Sequence, residues 1–218
     1  MMRRVFVLMS VLGLLAAPAW AQTTGSQSGG SKLRLRAFGH AEWQTVAAKE
    51  SFEAVTGKTS IQGFGGGVEV QKIWKGVFAR VAITRSVTTG ERVFVFNNEV
   101  FPLGTPLEIT MQPLELAAGW RFKPLTSRAI VPYVGVGAAF LTYKETSSAD
   151  VSGEGIDESY KGVAVFGGID VPVWRFVSIG GEVGWRQNNV PKPAGAMDAF
   201  GEKDLGGVTM RLMLSIWK

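Results

Sequence analysis

The sequence contains one histidine, His40, and no cysteine. A histidine works as a general base when a nucleophile and an orienting carboxylate stand within hydrogen-bond reach. Around His40 every second residue belongs to one set, Arg34, Arg36, Phe38, Glu42 and Gln44, so an extended chain puts it on a charged face. A histidine satisfied within that face is the plainer reading. A metal centre would lack both a second histidine and a thiolate. Other stretches suggest chemistry but fail on spacing. GKTS at 57–60 hints at a phosphate loop, yet the pattern needs a glycine where Phe52 stands. GFGGGVEV at 63–70 is not G-x-G-x-x-G, and its glycines are expected to permit strand curvature. KETSSADVSGEGIDES at 144–159 carries five acids and one lysine without EF-hand spacing, so a solvated loop is expected rather than a cation site. No catalytic, cofactor-binding or metal-ligating residue is assigned, and the chain is expected not to be an enzyme.

A broader signal is a set of charges at alternating positions: Arg34, Arg36, Glu42, Glu69, Arg80, Glu115, Arg121, Asp170, Glu182, Arg186 and Arg211. Such a set either lines a path for ions and small solutes or pairs with itself. The elements that hold it repeat with a period of two, as β-strands do. Strand-like runs fall at 33–45, 61–71, 77–86, 105–122, 129–143, 160–171, 177–187 and 204–218. In the last, Val208, Met210, Leu212, Leu214 and Ile216 make one apolar face, and Thr209, Arg211, Met213 and Ser215 make the other. The run 105–122 changes phase: Leu107, Ile109 and Met111 are odd, Leu114, Leu116, Ala118 and Trp120 even. A bulge at Pro113 is the expected cause.

The chain has 218 residues and a formal charge of +5. That charge includes Arg3 and Arg4 and is too mild to suggest nucleic acid as a partner. MMRRVFVLMSVLGLLAAPAWAQ places these two arginines before an apolar core and an Ala19-Trp20-Ala21 site. This pattern predicts a signal peptide over 1–21, followed by a flexible polar leader over 22–32 and one domain over 33–218. An exported domain without disulfides must draw its stability from a sizeable core or from lipid. No later apolar run is long enough for a spanning helix, which needs about 20 residues.

The connections alternate. KIWKG, KPLTSR and PVWRF are short, whereas 46–60, 87–104, 144–159 and 188–203 are long and polar. Tryptophans avoid mid-strand positions: Trp74, Trp120, Trp174 and Trp217 gather at the short-turn end, Trp43 and Trp185 at the other. An even number of strands, loop asymmetry and aromatic ends together predict an all-β fold, an eight-stranded antiparallel up-and-down transmembrane β-barrel. The apolar faces then meet lipid and the charges line the lumen. A soluble periplasmic barrel carrying a ligand is the alternative without lipid.

SFEAVTG (51–57), GERVFVFNNEVFPLG (90–104), PLELAAGWRF (113–122), VPYVGVGAAF (131–140) and EKDLGGVTM (202–210) carry a resemblance. The chain resembles the small bacterial outer-membrane β-barrel domains of OmpA/OmpX type, within them most of all uncharacterised acidobacterial-type barrels. The resemblance covers about 33–218 and implies the outer membrane, outer-membrane lipid as surroundings and a monomer with both termini in the periplasm. It also implies that the terminal strand, with Gly207, Met210 and Leu212, is read by the barrel assembly machinery, although the chain ends in Lys218 rather than an aromatic residue. Some barrels of this size modify lipid through a His–Ser pair on their exterior, whereas parity puts His40 inside. The expected role is structural or surface-exposed, with paired charges and Phe38, Phe78 and Phe166 filling the lumen and with function in the long loops. A narrow channel and a lipid-modifying enzyme are the alternatives. RVFVFNNEVF is expected to extend the barrel as a hairpin around Asn97-Asn98.

Overall fold

The computed structural model describes residues 33–97, 99–125, 130–147 and 157–217. The expected signal peptide, the leader and much of the 144–159 loop lie outside them. The strands are β1 (Arg34–Val46), β2 (Ser60–Gln71), β3 (Val77–Phe96), β4 (Glu99–Arg121), β5 (Val131–Ser147), β6 (Asp157–Trp174), β7 (Val177–Asn188) and β8 (Gly207–Trp217). Each pairs antiparallel with the next, and β1 pairs with β8, so the sheet is a closed barrel in sequence order. Closure leaves no open edge, which hydrocarbon would not tolerate.

Alternation sets the two faces as the sequence predicts. On β1, Arg36, Phe38, His40, Glu42 and Gln44 are buried inside. On β8, Leu212 and Leu214 face outward while Arg211, Met213 and Ser215 are buried. Outside, valine, leucine and isoleucine from all eight strands form an apolar band. A water-soluble barrel would not expose so continuous a surface.

The glycine-rich stretches make room for interior rings. Phe38 pairs across the strand with Gly67, His40 with Gly65, Phe78 with Gly119 and Phe166 with Gly135. A methyl group at Gly67 or Gly119 would strike the facing ring. This explains why β5 alternates poorly: its interior positions Gly135, Gly137 and Ala139 stay small because aromatics from β3 and β6 occupy the space.

Three expectations are corrected. There is no bulge at Pro113. Ile83↔Leu114 and Ser86↔Met111 keep one register, and so does Pro113↔Leu141. Leu107, Ile109 and Met111 point inward on the same face as Glu115. What changes along β4 is the lumen, apolar toward one end and charged toward the other. The real irregularity lies between Glu91 and Val93, where Gly104 takes a left-handed φ of 68° and its N–H donates to the Glu91 carboxylate. Second, 87–104 is not a polar loop. It is the β3–β4 hairpin itself, paired out to Phe96↔Glu99 as RVFVFNNEVF suggests, with Asn98 outside the described residues. Third, 46–60 and 188–203 are structured: they hold α1 (Lys49–Thr56) and α2 (Ala196–Ala199), and α1 buries Phe52. GKTS is the end of α1, where Gly57 at φ 68° donates its N–H to Glu53 O, and the start of β2.

Candidate functional site

Two interior zones stand above one another. The first fills the lumen from the short-turn end to mid-barrel. Five arginines (Arg36, Arg80, Arg121, Arg186, Arg211) meet five carboxylates (Glu42, Glu69, Glu115, Asp170, Glu182) there. Arg211 on β8 reaches Glu42 on β1 at 2.6 Å, Glu115 on β4 at 2.5 Å and Glu182 on β7 at 3.0 Å. Arg186 joins Glu115 at 2.8 Å and Glu42 at 3.1 Å. Nearer the short turns, Arg36 contacts Asp170 at 2.8 Å, and Arg121 contacts Glu69 at 2.8 Å. Several of these pairs tie strands that are not neighbours in the sheet.

Arg80 links the two groups, to Glu182 at 2.5 Å and Glu69 at 3.1 Å. Its guanidinium carbon lies 4.5 to 5.4 Å from the ring centres of Phe38, Phe78, Tyr133 and Phe166. The rings add cation–π attraction where water is excluded. The sequence had placed every one of these charges inside. Arg34 alone sits apart, half-buried at the rim with its guanidinium 4.8 Å over the Trp217 ring.

His40 is buried, and its Nε2 lies 2.9 Å from Thr84 Oγ1. A catalytic arrangement would put a carboxylate on Nδ1, which has no partner. Glu42 instead sits on the far side of the hydroxyl, accepting from Thr84 at 3.5 Å. Thr84 is itself buried in the barrel, away from any lipid face.

The second zone closes the long-loop end. Val46, Phe52, Leu107, Ile109, Met111, Leu141, Val190 and Leu205 form one apolar cluster beneath α1 and the 188–206 segment. The sequence reading missed this seal, because Phe52 and Val190 lie in stretches that look like surface loops. The available signal was the odd-numbered run of Leu107, Ile109 and Met111. The two covering segments are latched together. The Glu202 carboxylate accepts the N–H groups of Glu50 at 3.1 Å and Ser51 at 2.9 Å, and the Ser51 hydroxyl. It supplies from a distant segment the cap that Ala48 at the helix start cannot. Gln44 Nε2 donates to Leu205 O at 3.1 Å and Gly206 O at 2.8 Å, fixing the same segment to β1.

Between these covers lies a partly open cavity of about 260 Å³. Phe52, Leu107, Ile109 and Leu205 line its floor, and Met197 of α2 borders it. Two tyrosines stand on its wall, each donating its hydroxyl to a carboxylate two residues away: Tyr143 to Glu145, Tyr160 to Glu158. The result is an apolar pocket with a short polar rail, the composition of a small-ligand site.

Residues 7–209 match the family described as outer membrane protein beta-barrel domain. Comparison with curated proteins gave no match. Among solved structures, the chain is similar to the outer membrane protein OprG of Pseudomonas aeruginosa, with 13% identity and a TM-score of 0.55 over 85% of this chain and 95% of that one. It is similar to a major outer membrane protein of Thermus thermophilus, with 13% identity and a TM-score of 0.53 over 84% and 99%. It is also similar to the attachment invasion locus protein Ail of Yersinia pestis, solved with the heparin analogue sucrose octasulfate, with 12% identity and a TM-score of 0.50 over 85% and 97%. At such identities these likenesses bear on the fold alone. The family match with the apolar outer band places the protein in the outer membrane, and the chain belongs to the outer membrane protein beta-barrel domain family.

Proposed function

We propose that this protein is a non-enzymatic, monomeric surface barrel without a through channel, whose working part is the pocket at the long-loop mouth. The short turns then face the periplasm and the long connections the exterior, as in other barrels of this class. The observation that carries this reading is the double obstruction: a cross-lumen ion-pair lattice below and an apolar seal above. Conduction would require pairs such as Arg211–Glu115 to break, and each unpaired buried ion costs several kcal/mol. An eight-stranded barrel has little room beyond its own side chains. What stays reachable from outside is the pocket, suited to a small ligand with an apolar body and a hydrogen-bonding group for Glu145 or Glu158.

Planar-bilayer recording of the purified protein is expected to show no steady conductance, and large stable currents would defeat the closed-lumen reading. Methyl NMR in detergent with indole as the probe is expected to move the resonances of Leu107, Ile109 and Leu205. Ala196→Trp, which fills the pocket wall, should abolish those shifts. Shifts confined to the outer band would remove the pocket as the site.

A further inference from the structure

The short-turn rim sets a cation over a ring at three places around the barrel and beside one in sequence at a fourth. Arg34 lies over Trp217 at 4.8 Å and the Lys75 ammonium 5.3 Å from the Trp74 ring centre. Arg175 lies 5.1 Å from the ring centre of Phe176, beside the exposed Trp174. Lys123 follows the exposed Phe122. These stations belong to different connections, so they encircle the opening rather than form one patch. The segments 71–77, 122–130 and 172–177 contain no aspartate or glutamate. The nearest carboxylates, Glu69 and Asp170, point into the lumen and are held by Arg36, Arg80 and Arg121. The rim connections therefore carry cations and rings and no aspartate or glutamate of their own. The opposite end carries an excess of acids.

We propose that this rim binds anionic phospholipid headgroups in the periplasmic leaflet, the cations taking the phosphates and the rings the headgroup–acyl boundary. The leaflet named here rests on the orientation proposed above. The binding itself does not, because both leaflets of a reconstituted vesicle have the same composition. Cations near a membrane surface are attracted to anionic lipid, and salt screens the attraction. The acidic opposite end gives no such preference, so lipid selectivity should be confined to one rim.

Quenching of tryptophan by brominated lipid reads this directly. In a Trp43→Phe/Trp185→Phe background, all remaining tryptophans of the barrel stand at the short-turn rim. The protein is folded into phosphatidylcholine vesicles containing either brominated phosphatidylglycerol or brominated phosphatidylcholine. Relative affinity for phosphatidylglycerol is expected to be several-fold, to fall toward equality in high salt and to vanish in Arg34→Gln/Lys75→Gln/Lys123→Gln/Arg175→Gln. A Lys144→Gln/Lys161→Gln control at the other end should keep the preference. Heat-modifiability confirms folding of each variant. Equal quenching by the two lipids, or a preference that survives the rim variant, overturns the proposal. So does loss of preference only in the Lys144/Lys161 control. Displacement of phosphatidylglycerol by soluble peptidoglycan fragments would also overturn it, in favour of a cell-wall partner.

Discussion

The lower lumen and the mouth fill the same cylinder by opposite means. Below, guanidinium groups and carboxylates bind strands across the bore; above, aliphatic side chains and two short helical segments pack as they would in a soluble core. The lower zone is built by strands alone, with each charge placed by sheet register. The mouth is built by connections that fold back on themselves. Ion pairs suit a place that strands hold rigidly, because their strength depends on geometry. Apolar contacts are less directional and suit segments that must settle against a fixed floor. The barrel therefore supplies precision to its base and adaptability to its mouth, where a ligand would arrive.

Breaking the lower zone should have the largest effect. Arg211→Met leaves three carboxylates short of a partner. Removing one member of a buried pair costs about 3–5 kcal/mol, measurable by urea unfolding in vesicles. Adding Glu115→Gln should recover part of the loss. A neutral single variant would show that these charges are hydrated rather than paired, and the contrast between the zones would disappear.

Next comes the neighbour on the other face. Leu212→Arg puts a cation against lipid and should cost about 2–4 kcal/mol near the midplane, seen as a smaller folded band in a heat-modifiability gel. A similar cost from adjacent residues through unrelated causes would confirm the facing. If Leu212→Arg folds normally, the outer band is not in hydrocarbon.

Phe52→Ala addresses the mouth. Because Phe52 is the one apolar side chain that α1 buries fully, the variant should expose 47–58 to proteolysis while leaving global unfolding in urea little changed. Loss of the whole fold would make the mouth part of the barrel's core rather than an addition to it. The smallest expected effect is that of Glu202→Ala, which removes a helix cap worth about 1 kcal/mol. Hydrogen exchange at Glu50 and Ser51 should accelerate, with strand amides unaffected.

The difference between the zones also decided what could be read from sequence. Period-two alternation carried Arg36, Glu42, Arg80, Glu115, Glu182 and Arg211 to their true face, because a strand offers only two. The partners were beyond reach: nothing local says that Arg211 meets Glu115 on the far wall. The apolar mouth was misread for a different reason. On β4 a lipid-facing residue and a core-facing one are equally hydrophobic, so Leu107 and Leu114 look alike while pointing opposite ways. The change from apolar to charged lumen then mimicked a slip in the backbone. Phe52 and Val190 have no periodic neighbours to reveal their burial.

The seam between β1 and β8 bears on how the protein is made. Thr45 meets Val208, and Arg36 meets Trp217, so the closing contacts join nearly opposite ends of the described chain. Extra loop length costs little at equilibrium, about 0.6 kcal/mol per doubling. The burden falls on time, since long-range strand pairing forms slowly. Until β8 has been synthesised and exported, β1 has one unpaired side, an edge that any passing strand could occupy. A half-finished sheet cannot wait inside hydrocarbon either, because its free backbone groups would have no partners. The nascent chain must therefore stay unfolded and guarded in the aqueous compartment until its last strand is present, and a fragment lacking β8 should accumulate as an aggregate or be degraded rather than persist as a smaller barrel.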